Sequence, residues 1–354
     1  MTRDRKPLGI DLNRSLAVRQ IVAARPSGPR AHFGAPRRTW TTPHPPGLAA
    51  PDAARLALLQ ALAGEGYQFT APGPNTYRRL RLRRGRREAA SLPDVFGWNL
   101  PFRPGTIPAE IEALAREGDL LRASGPRLRA DLSVASLGNL LFLHSPIPAR
   151  DSAHVFFGPD SYRFADFVDV ELPALRAGAR ILDIGCGAGV GGLVAATRAP
   201  HAGLVLTDVN PQALRLAWIN AAFARQTPRL IQCEDAPRDE GCFDVVVANP
   251  PYIRGSGLTY SDGGDRGDAV TLRWASAALE LLAPGGRLLL YSGSAIMRGA
   301  DPLRDALSAM ASQAGADFRY GELDPDVFPL TLLNPAYWGV ERIAAVGAVC
   351  VRRP

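Results

Sequence analysis

The sequence predicts an α/β protein in which a smaller α+β domain precedes a doubly wound domain with a mostly parallel sheet. Two observations predict the larger domain. Apolar runs alternate with helical segments from about residue 180 onward, and the first run ends in a glycine-rich turn. Parallel strands that helices cover on both faces read as continuous apolar runs of this kind. With 354 residues, 46% of them hydrophobic, the chain can bury such a core.

The first 150 residues are expected to contain two units. Residues 1–50 are rich in Arg and Pro, which predicts a flexible extension. Residues 51–150 are predicted to form a basic substrate-recognition domain with helices over residues 51–62 and 108–116. Short strands are predicted at 120–122, 128–134 and 140–143, with a turn at Gly125-Pro126. Helices followed by a strand pair suit a winged-helix-like fold.

Positive charge is concentrated in these first 150 residues. They hold 23 Lys and Arg against 11 Asp and Glu, a formal charge of +12, whereas the rest of the chain holds 18 against 23, a charge of −5. This asymmetry predicts a polyanionic partner such as nucleic acid or the ribosome. Because Lys6 is the only lysine in the sequence, an arginine bias of the whole composition is the alternative explanation.

The segment from Tyr77 to Arg87 is rich in arginine. Because Leu80 and Leu82 alternate with arginines, the pattern predicts an edge strand whose charged face contacts phosphates. A solvated arginine-rich strand or loop is the alternative. The candidate nucleic-acid contacts are Arg78, Arg79, Arg81, Arg83, Arg84, Arg86 and Arg87.

Regular alternation of strands and helices begins near residue 180. Strands are predicted at 181–184, 203–207, 230–233, 243–248 and 286–291, and helices at 190–198, 211–225 and 269–282. In a doubly wound sheet, ligands bind beyond the carboxyl ends of the strands. The residues that follow the strands are therefore the candidates for a functional site.

The first of these strands ends in a glycine-rich turn, Asp183-Ile184-Gly185-Cys186-Gly187-Ala188-Gly189. Glycine lets the backbone approach a ligand closely, and the following helix offers free amide groups. Asp208 closes the second strand, where its carboxylate can accept hydrogen bonds from both hydroxyls of a ribose. These features predict a nucleoside-containing cofactor. Since Gly187 to Gly192 also fits the Gly-x-Gly-x-x-Gly pattern of NAD enzymes, the turn alone leaves the cofactor open.

The fourth strand is followed directly by Asn249-Pro250-Pro251-Tyr252, the predicted catalytic segment. A planar amide or exocyclic amino nitrogen is a weak nucleophile because its lone pair is delocalised. If the Asn249 side-chain oxygen and the Pro250 carbonyl each accept one of its N–H bonds, the lone pair can point at a methyl donor. The two prolines stiffen the loop, and Tyr252 is placed to pack its ring against the flat substrate group.

These residues resemble the class I S-adenosylmethionine (SAM) dependent methyltransferases that carry Asn-Pro-Pro-Tyr, and the likeness covers about residues 155–354. Within that class the chain is most similar to the HemK-type release-factor glutamine N-methyltransferases. The segments that carry the likeness are Asp183 to Gly189, Thr207 to Leu214, Phe243 to Ile253, Asp262-Gly263-Gly264 and Leu282 to Gly286. The resemblance implies a methyltransferase domain over residues 151–354 with a Rossmann-like sheet of seven strands. The last two strands would form an antiparallel hairpin, here residues 318–320 with 343–351.

The resemblance also implies SAM as the cofactor. Gly185, Gly187 and Gly189 would line its methionine part, Asp208 would bind its ribose, and Asp235 would lie near its adenine. The complete set of implied cofactor residues is Phe157, Tyr162, Asp183, Gly185, Cys186, Gly187, Gly189, Asp208, Val209, Asp235, Ala236 and Asn249.

The chain departs from the HemK family before the first strand of the sheet. Where that family carries Pro-Arg-Pro-Glu-Thr-Glu, this chain has Phe156 to Phe164, in which Phe157 and Tyr162 are predicted to shape the SAM pocket. Related enzymes with Asn-Pro-Pro-Tyr methylate amino groups of adenine or guanine in RNA and DNA. We therefore expect an N-methyltransferase that acts on a macromolecule, either a nucleobase, a ribosome-associated substrate or a protein glutamine. The alternatives are a small-molecule SAM enzyme of specialised metabolism and a non-catalytic nucleic-acid-binding module.

Other classes of protein are not indicated. The four cysteines lack Cys-x-x-Cys spacing and the five histidines are scattered, so neither a metal site nor a disulfide framework is expected. The start, from Met1 to Lys6, does not predict a secretory signal. The longest uncharged stretch, from Leu132 to Ala149, contains polar residues and two prolines, which argues against a membrane span. We expect a cytoplasmic protein.

Overall fold

The computed structural model describes residues 50–82, 88–148, 153–254, 263–264 and 267–354. The expected extension over residues 1–50 lies outside the described residues except for Ala50. The N-terminal part begins with helices α1 (Ala50–Gly64), α2 (Pro74–Leu82) and α3 (Ala109–Glu117). Four short strands follow: β1 (Leu121–Ser124), β2 (Arg127–Ala130), β3 (Ser133–Leu137) and β4 (Leu140–His144).

The strand predicted at 128–134 is two strands in the structure. Strand β2 pairs with β1, whereas β3 pairs with β4, so two separate hairpins form. The chain changes sheets at Asp131, whose backbone N–H donates to the Leu120 carbonyl at 2.8 Å and closes the first hairpin. The winged-helix-like interpretation assumes one strand pair, whereas the structure has two hairpins. That interpretation stays a prediction.

The edge strand predicted for the arginine-rich segment is wrong over the described residues 77–82, because these belong to helix α2. A strand would place Leu80 and Leu82 on one face, but Leu80 is 8% exposed and Leu82 is 75% exposed. Tyr77 and Leu80 are buried together because their spacing of three residues puts them on one side of a helix. Pro74 supplies the fixed φ that suits a first helical turn.

The C-terminal part is a seven-stranded sheet with helices between its strands. The strands are β5 (Arg180–Ile184), β6 (Gly203–Asp208), β7 (Arg229–Gln232), β8 (Phe243–Ala248), β9 (Leu282–Ile296), β10 (Ala316–Asp324) and β11 (Arg342–Arg352). The helices are α4 (Pro159–Glu171), α5 (Val190–Arg198), α6 (Pro211–Phe223), α7 (Ala269–Leu281) and α8 (Pro302–Gln313).

The order of strands across the sheet is β10-β11-β9-β8-β5-β6-β7. Strands β5 to β9 are parallel, and β10 and β11 form the antiparallel hairpin that the resemblance implies. Strand β9 is longer than predicted because it pairs with β11 from Arg287 to Ile296. Strand β6 follows β5 in the chain and pairs with one edge of it. Strand β8 comes later and pairs with the other edge. The ends of β5 and β8 therefore flank a switch point, where this class of sheet binds ligands.

Both faces of the sheet are buried, as the continuous apolar runs predict. Along β5, Ile181 belongs to one core cluster, whereas Leu182 and Ile184 belong to the cluster on the opposite face. The first cluster extends into the N-terminal part through residues such as Leu59 and Phe142. Among the described residues, none of the helices has the length and apolar character needed to cross a membrane.

Asn220 of α6 joins the N-terminal part to the glycine turn. Its side-chain oxygen accepts from the Leu143 backbone N–H at 2.8 Å, and its amide donates to the carbonyls of Leu143 at 3.1 Å and Ala188 at 2.9 Å. Because this side chain is buried and fully bonded, its removal would leave backbone groups unpaired. Asn220 thus links hairpin β3–β4 to the glycine turn.

Candidate active site

The glycine turn after β5 is fixed by its neighbours as well as by its own conformation. Gly185 has a φ of +64°, and a Cβ at this position would overlap the indole ring of Trp274. The Cys186 N–H donates to the Thr207 carbonyl of β6 at 2.8 Å. Only glycine fits both the backbone angle and the close approach of the ring at position 185. The turn therefore presents its backbone at the carboxyl edge of the sheet.

Asp208 holds the same turn from the end of β6. Its Oδ2 accepts from the Gly187 N–H at 2.9 Å, and its Oδ1 accepts from the Asn210 N–H at 2.8 Å. Burial raises the pKa of this carboxyl, and the backbone hydrogen bonds oppose that effect. A carboxylate anchored in this way is oriented before any ligand binds.

A cavity of about 130 Å³ lies beside the turn. The segments that form it come from the start of α4, the glycine turn, the ends of β6, β7 and β8, and helix α7. Its lining residues are His154, Val155, Phe156, Ser161, Phe164, Gly185, Cys186, Gly187, Ala188, Val190, Asp208, Val209, Asn210, Ala213, Glu234, Asn249, Pro251 and Trp274. We call it the cofactor cavity. No heavy atom of the described residues lies within 4 Å of the position that a Cβ of Gly187 would take, so the backbone is open to a ligand there.

The Asn-Pro-Pro-Tyr loop separates this cavity from a second one. Asn249 and Pro251 line the cofactor cavity, whereas Pro250 is buried between them. Tyr252 is directed away from the cofactor cavity and lines the second cavity, which has a volume of about 290 Å³. Its ring is buried between Tyr291 and Phe328, with ring centroids 6.5 and 6.0 Å away, and lies over Gly293. Contact between this ring and a substrate stays a prediction, and the second cavity is where it would occur.

The second cavity is formed by the Tyr252 loop, by the end of β9 and the start of α8, and by the segment that leads into β11. Its lining residues are Tyr252, Arg254, Asp268, Gly293, Ser294, Ala295, Met297, Pro302, Leu303, Ala336, Tyr337, Trp338, Val340 and Ile343. The segment before β11 is tied to the loop, because the Arg254 N–H donates to the Tyr337 hydroxyl at 2.6 Å and its guanidinium donates to the Ala336 carbonyl at 2.9 Å. Trp338 is 83% exposed at this cavity.

Four of the residues implied for SAM binding are absent from the lining of the cofactor cavity. Asp183 is fully buried, and its Oδ2 accepts from the Gly192 N–H at 2.7 Å, so it holds the start of α5. Burial raises the pKa of Asp183 to about 7. The Asp235 carboxylate accepts from Arg273 at 2.7 Å and from the Trp274 indole at 3.1 Å, and thereby orients a residue that does line the cavity. Gly189 and Ala236 are likewise absent from the lining.

Phe157 and Tyr162 are also absent from the lining of the cofactor cavity, so the pocket-shaping role expected of them stays a prediction. Phe157 is fully buried against His144 and Tyr162, with ring centroids 5.3 Å apart in both pairs. The Tyr162 hydroxyl accepts from the Ala71 N–H at 2.8 Å. Both side chains contact the N-terminal part, whereas their sequence neighbours Phe156 and Ser161 line the cavity.

Some lining residues were absent from the sequence prediction. Ser161 and Phe164 are three residues apart on α4, a spacing that marks one helical face. Glu234 lies next to the predicted Asp235, so an offset of one residue would have found it. Trp274 is 89 positions from Gly185 and reaches the turn only through the fold.

The described arginines of the N-terminal run lie on helix α2. Arg78 and Arg79 are exposed, and the Arg79 guanidinium donates to the Thr76 hydroxyl at 3.2 Å. The side chain of Arg81 and residues Arg83, Arg84, Arg86 and Arg87 lie outside the described part of the chain. Their contact with nucleic acid stays a prediction. In the ranges that the structure describes, no group of three or more His, Cys, Asp or Glu could hold a metal ion.

This fold and this site define a class I SAM-dependent methyltransferase domain. The central strand β5 is followed by a glycine turn, β6 ends in an acidic residue, and β8 leads into Asn-Pro-Pro-Tyr. Residues 168–314 match the family model described as the methyltransferase small domain. The predicted fold class, the cofactor SAM and the likeness to the HemK type are thereby confirmed.

Relatives of two kinds are similar to this chain. A release factor glutamine methyltransferase of Deinococcus radiodurans is 31% identical over 123 residues, covering 31% of this chain and 44% of that protein. A ribosomal RNA small subunit methyltransferase C of Pseudomonas aeruginosa is 30% identical over 200 residues, covering 56% of this chain and 51% of that protein. A crystal structure of a SAM-dependent methyltransferase from Agrobacterium tumefaciens superimposes with a TM-score of 0.44 at 20% identity, covering 66% of this chain and 72% of that one. The chain thus spans about half the length, or less, of these curated relatives.

Replacement of Gly185 by alanine is expected to weaken SAM binding by more than about tenfold. The variant must adopt a left-handed backbone angle, which costs roughly 1–2 kcal/mol, and must also displace Trp274 from the cavity wall. Calorimetric titration with SAM measures the effect. Gly178→Ala is the matched control, because Gly178 has a φ of +75° but has open space around its missing Cβ. Equal SAM affinities in the two variants would show that the Trp274 contact is unimportant.

Proposed function

We propose that the chain is a SAM-dependent N-methyltransferase that acts on a planar amide or exocyclic amino nitrogen of a macromolecule. One observation carries this proposal: the Asn-Pro-Pro-Tyr loop is the wall between two cavities. Asn249 and Pro251 line the cofactor cavity, and Tyr252 lines the second cavity on the other side. A donor in the first cavity and an acceptor nitrogen entering from the second would meet at this loop.

The loop offers two hydrogen-bond acceptors for such a nitrogen, one from the Asn249 side chain and one from the Pro250 backbone. SAM, when bound, supplies an electrophilic methyl group on a sulfonium. Within the described residues no hydrogen-bond partner of the Asn249 side chain is present, so its oxygen is available to accept from the target N–H. The Pro250 carbonyl is the second acceptor. Two fixed acceptors would orient the nitrogen lone pair toward the methyl group, and orientation of this kind accounts for most of the rate increase that the site has to provide.

The proposal requires no dedicated base next to the loop. Once alkylated, the nitrogen carries a positive charge and loses its proton readily. The Tyr252 hydroxyl is buried, and burial raises the pKa of Tyr252 well above its usual value, so tyrosinate is not a candidate. This agrees with a site that works by positioning.

The first candidate substrate is a nucleobase in RNA or DNA, or in the ribosome. The formal charge of +12 over residues 1–150 supports it, since phosphate contacts dominate nucleic-acid affinity. Likeness to a ribosomal RNA methyltransferase supports it as well. A cytoplasmic location, where ribosomes and their factors are found, belongs to the same proposal.

The second candidate substrate is a protein glutamine. Large apolar side chains are exposed near the second cavity and on the segment before β11: Met297, Leu330, Leu333 and Trp338. Exposed apolar groups of this size, with Trp and Met among them, are typical of protein-binding surfaces. Likeness to a release factor glutamine methyltransferase supports the same substrate.

A labelling experiment tests the function and separates the two substrates. The protein is incubated with methyl-labelled SAM and, separately, with total RNA, DNA and protein from cells that lack the gene. We expect label in one macromolecular fraction, and mass spectrometry of the labelled nucleotide or peptide identifies the nitrogen. Asn249→Ala is the matched inactive control. Label in none of the three fractions would refute the proposal, and consumption of SAM without macromolecule would favour a small-molecule enzyme.

A further inference from the structure

A buried carboxyl group lies behind the Asn-Pro-Pro-Tyr loop. Asp160, in the first turn of α4, is 4% exposed. Its Oδ1 accepts from the Tyr291 hydroxyl at 2.9 Å and from the Arg163 guanidinium at 3.2 Å. Arg163 also donates to Asp324 at 2.6 Å and so connects α4 to the end of β10. Asp160 is therefore the centre of a polar network that joins three elements of the fold.

The Tyr252 hydroxyl lies in the same network. It is buried close to Asp160 and to the Tyr291 hydroxyl, which both act on its pKa. In the described part of the chain it makes no hydrogen bond of ordinary geometry. A buried hydroxyl left without a partner costs about 1–3 kcal/mol, and a small rotation toward Asp160 would remove that cost. Asp160 is the acceptor that this hydroxyl can reach.

Burial of Asp160 is unfavourable by itself. Removal from water raises the pKa of this carboxyl, and the hydroxyls of Tyr291 and Tyr252 and the charge of Arg163 oppose the effect. Apolar residues of similar size would fill such a place without a desolvation penalty. The position of the carboxyl suggests what it contributes, because the next residue, Ser161, lines the cofactor cavity and Tyr252 ends the loop.

The geometry points to Asp160 as a positioning residue that sets the direction of the Asn-Pro-Pro-Tyr loop through the hydroxyls of Tyr291 and Tyr252. The loop is stiff, because two prolines lie between the end of β8 and Tyr252. Fixing the Tyr252 side chain thus fixes the Pro250 carbonyl and the Asn249 side chain with it. Phe328 supports the ring of Tyr252 from the other side. This inference rests on the proposed function, since the loop matters only if it holds the target nitrogen.

The test compares Asp160→Asn, Tyr252→Phe and the double variant in the full-length protein. The rate of methyl transfer is measured at saturating SAM into whichever fraction of RNA, DNA or protein the wild type labels. Because a misplacement of about 1 Å can cost on the order of a hundredfold in rate, we expect each single variant to lose roughly tenfold or more. The double variant is expected to match the slower single variant, since both changes break one connection. Affinity for SAM should stay within about threefold of the wild type.

Two further measurements separate positioning from stability. Tyr291→Phe leaves the start of α4 intact and is expected to reproduce the slow transfer if Asp160→Asn folds poorly. Tyr67→Phe is the matched control, because it removes a buried hydroxyl that donates to the Val134 carbonyl at 2.9 Å in the N-terminal part. It should lower the melting temperature without slowing transfer. Hydrogen exchange at the amides of residues 252–254 should accelerate in Asp160→Asn and not in Tyr67→Phe.

The transfer rates and the hydrogen-exchange rates each support or overturn the positioning role of Asp160. Transfer rates within twofold of the wild type in Asp160→Asn and Tyr291→Phe would overturn the inference, and so would effects that multiply in the double variant. If the wild type labels no fraction, the proposed function fails, and hydrogen exchange alone then tests Asp160. Unchanged exchange at residues 252–254 would overturn the positioning role in that case, and accelerated exchange there with intact SAM binding would support it.

Discussion

Asn249→Ala is expected to lower methyl transfer by roughly a hundredfold or more while leaving the affinity for SAM nearly unchanged. The substitution removes one of two acceptors that would orient the target nitrogen, and loss of a single preorganised partner typically costs that much in turnover. Affinity should persist because the anchored carboxylate of Asp208 and the glycine turn are untouched. Single-turnover transfer and calorimetric titration with SAM measure the two quantities.

Asn139→Ala is a suitable control for Asn249→Ala. Asn139 is exposed in the turn between β3 and β4, so the same chemical change there should alter neither quantity. Undiminished transfer by Asn249→Ala would show that the residue does not hold the nitrogen. Loss of SAM binding together with transfer would assign Asn249 to the cofactor instead.

The alternating part of the fold could be predicted from sequence because each signal is local. The run Phe243 to Ala248 is a strand of the expected length, and the helix from Val190 to Arg198 has the predicted bounds. A strand buried on both faces needs an uninterrupted apolar run, and the connecting helices need their own pattern. The position of the site followed, because parallel strands bring their carboxyl ends to one edge.

The N-terminal part was harder to predict for a physical reason. In the segment around Leu80, leucines alternate with arginines over only a few residues, which fits a strand of period two. The same residues also fit a helix that puts Tyr77 and Leu80 on one side, and the burial of both side chains favours the helix. Short amphipathic segments carry too few residues to separate the two periods.

The motifs also did not indicate which side chains line the cavity. Asp183, Phe157 and Tyr162 each lie within two residues of a cavity-lining residue in sequence, yet their side chains are bonded or packed elsewhere. Trp274 reaches the cavity from α7, far along the chain. A motif gives the position of the backbone, whereas the surrounding core determines which side chains reach the ligand.

Asp208→Ala is expected to raise the dissociation constant for SAM by roughly a hundredfold, with a smaller effect on transfer at saturating SAM. Two losses contribute to the expected change in affinity. In the wild type the carboxylate accepts from the Gly187 and Asn210 amides, and hydrogen bonds to a charged group contribute roughly 1.5–3 kcal/mol each. It is also the predicted acceptor for the ribose hydroxyls. Since about 1.4 kcal/mol corresponds to tenfold in affinity, loss of the ligand contacts alone reaches the expected size.

Variants and pH together distinguish the charge of Asp208 from its shape. Asp208→Asn keeps one acceptor oxygen but places an NH2 group against a backbone N–H, so we expect an affinity for SAM between those of the wild type and Asp208→Ala.

Burial raises the pKa of Asp208, so its carboxylate takes up a proton at a higher pH than an exposed aspartate does. Affinity for SAM should therefore fall as the pH is lowered through this pKa in the wild type, and not in Asp208→Asn. Asp305→Ala, at a side chain 68% exposed on α8, should bind SAM as the wild type does. A wild-type level of SAM affinity in Asp208→Ala would mean that the carboxylate only shapes the empty turn, and the ribose would then have to be held by backbone groups.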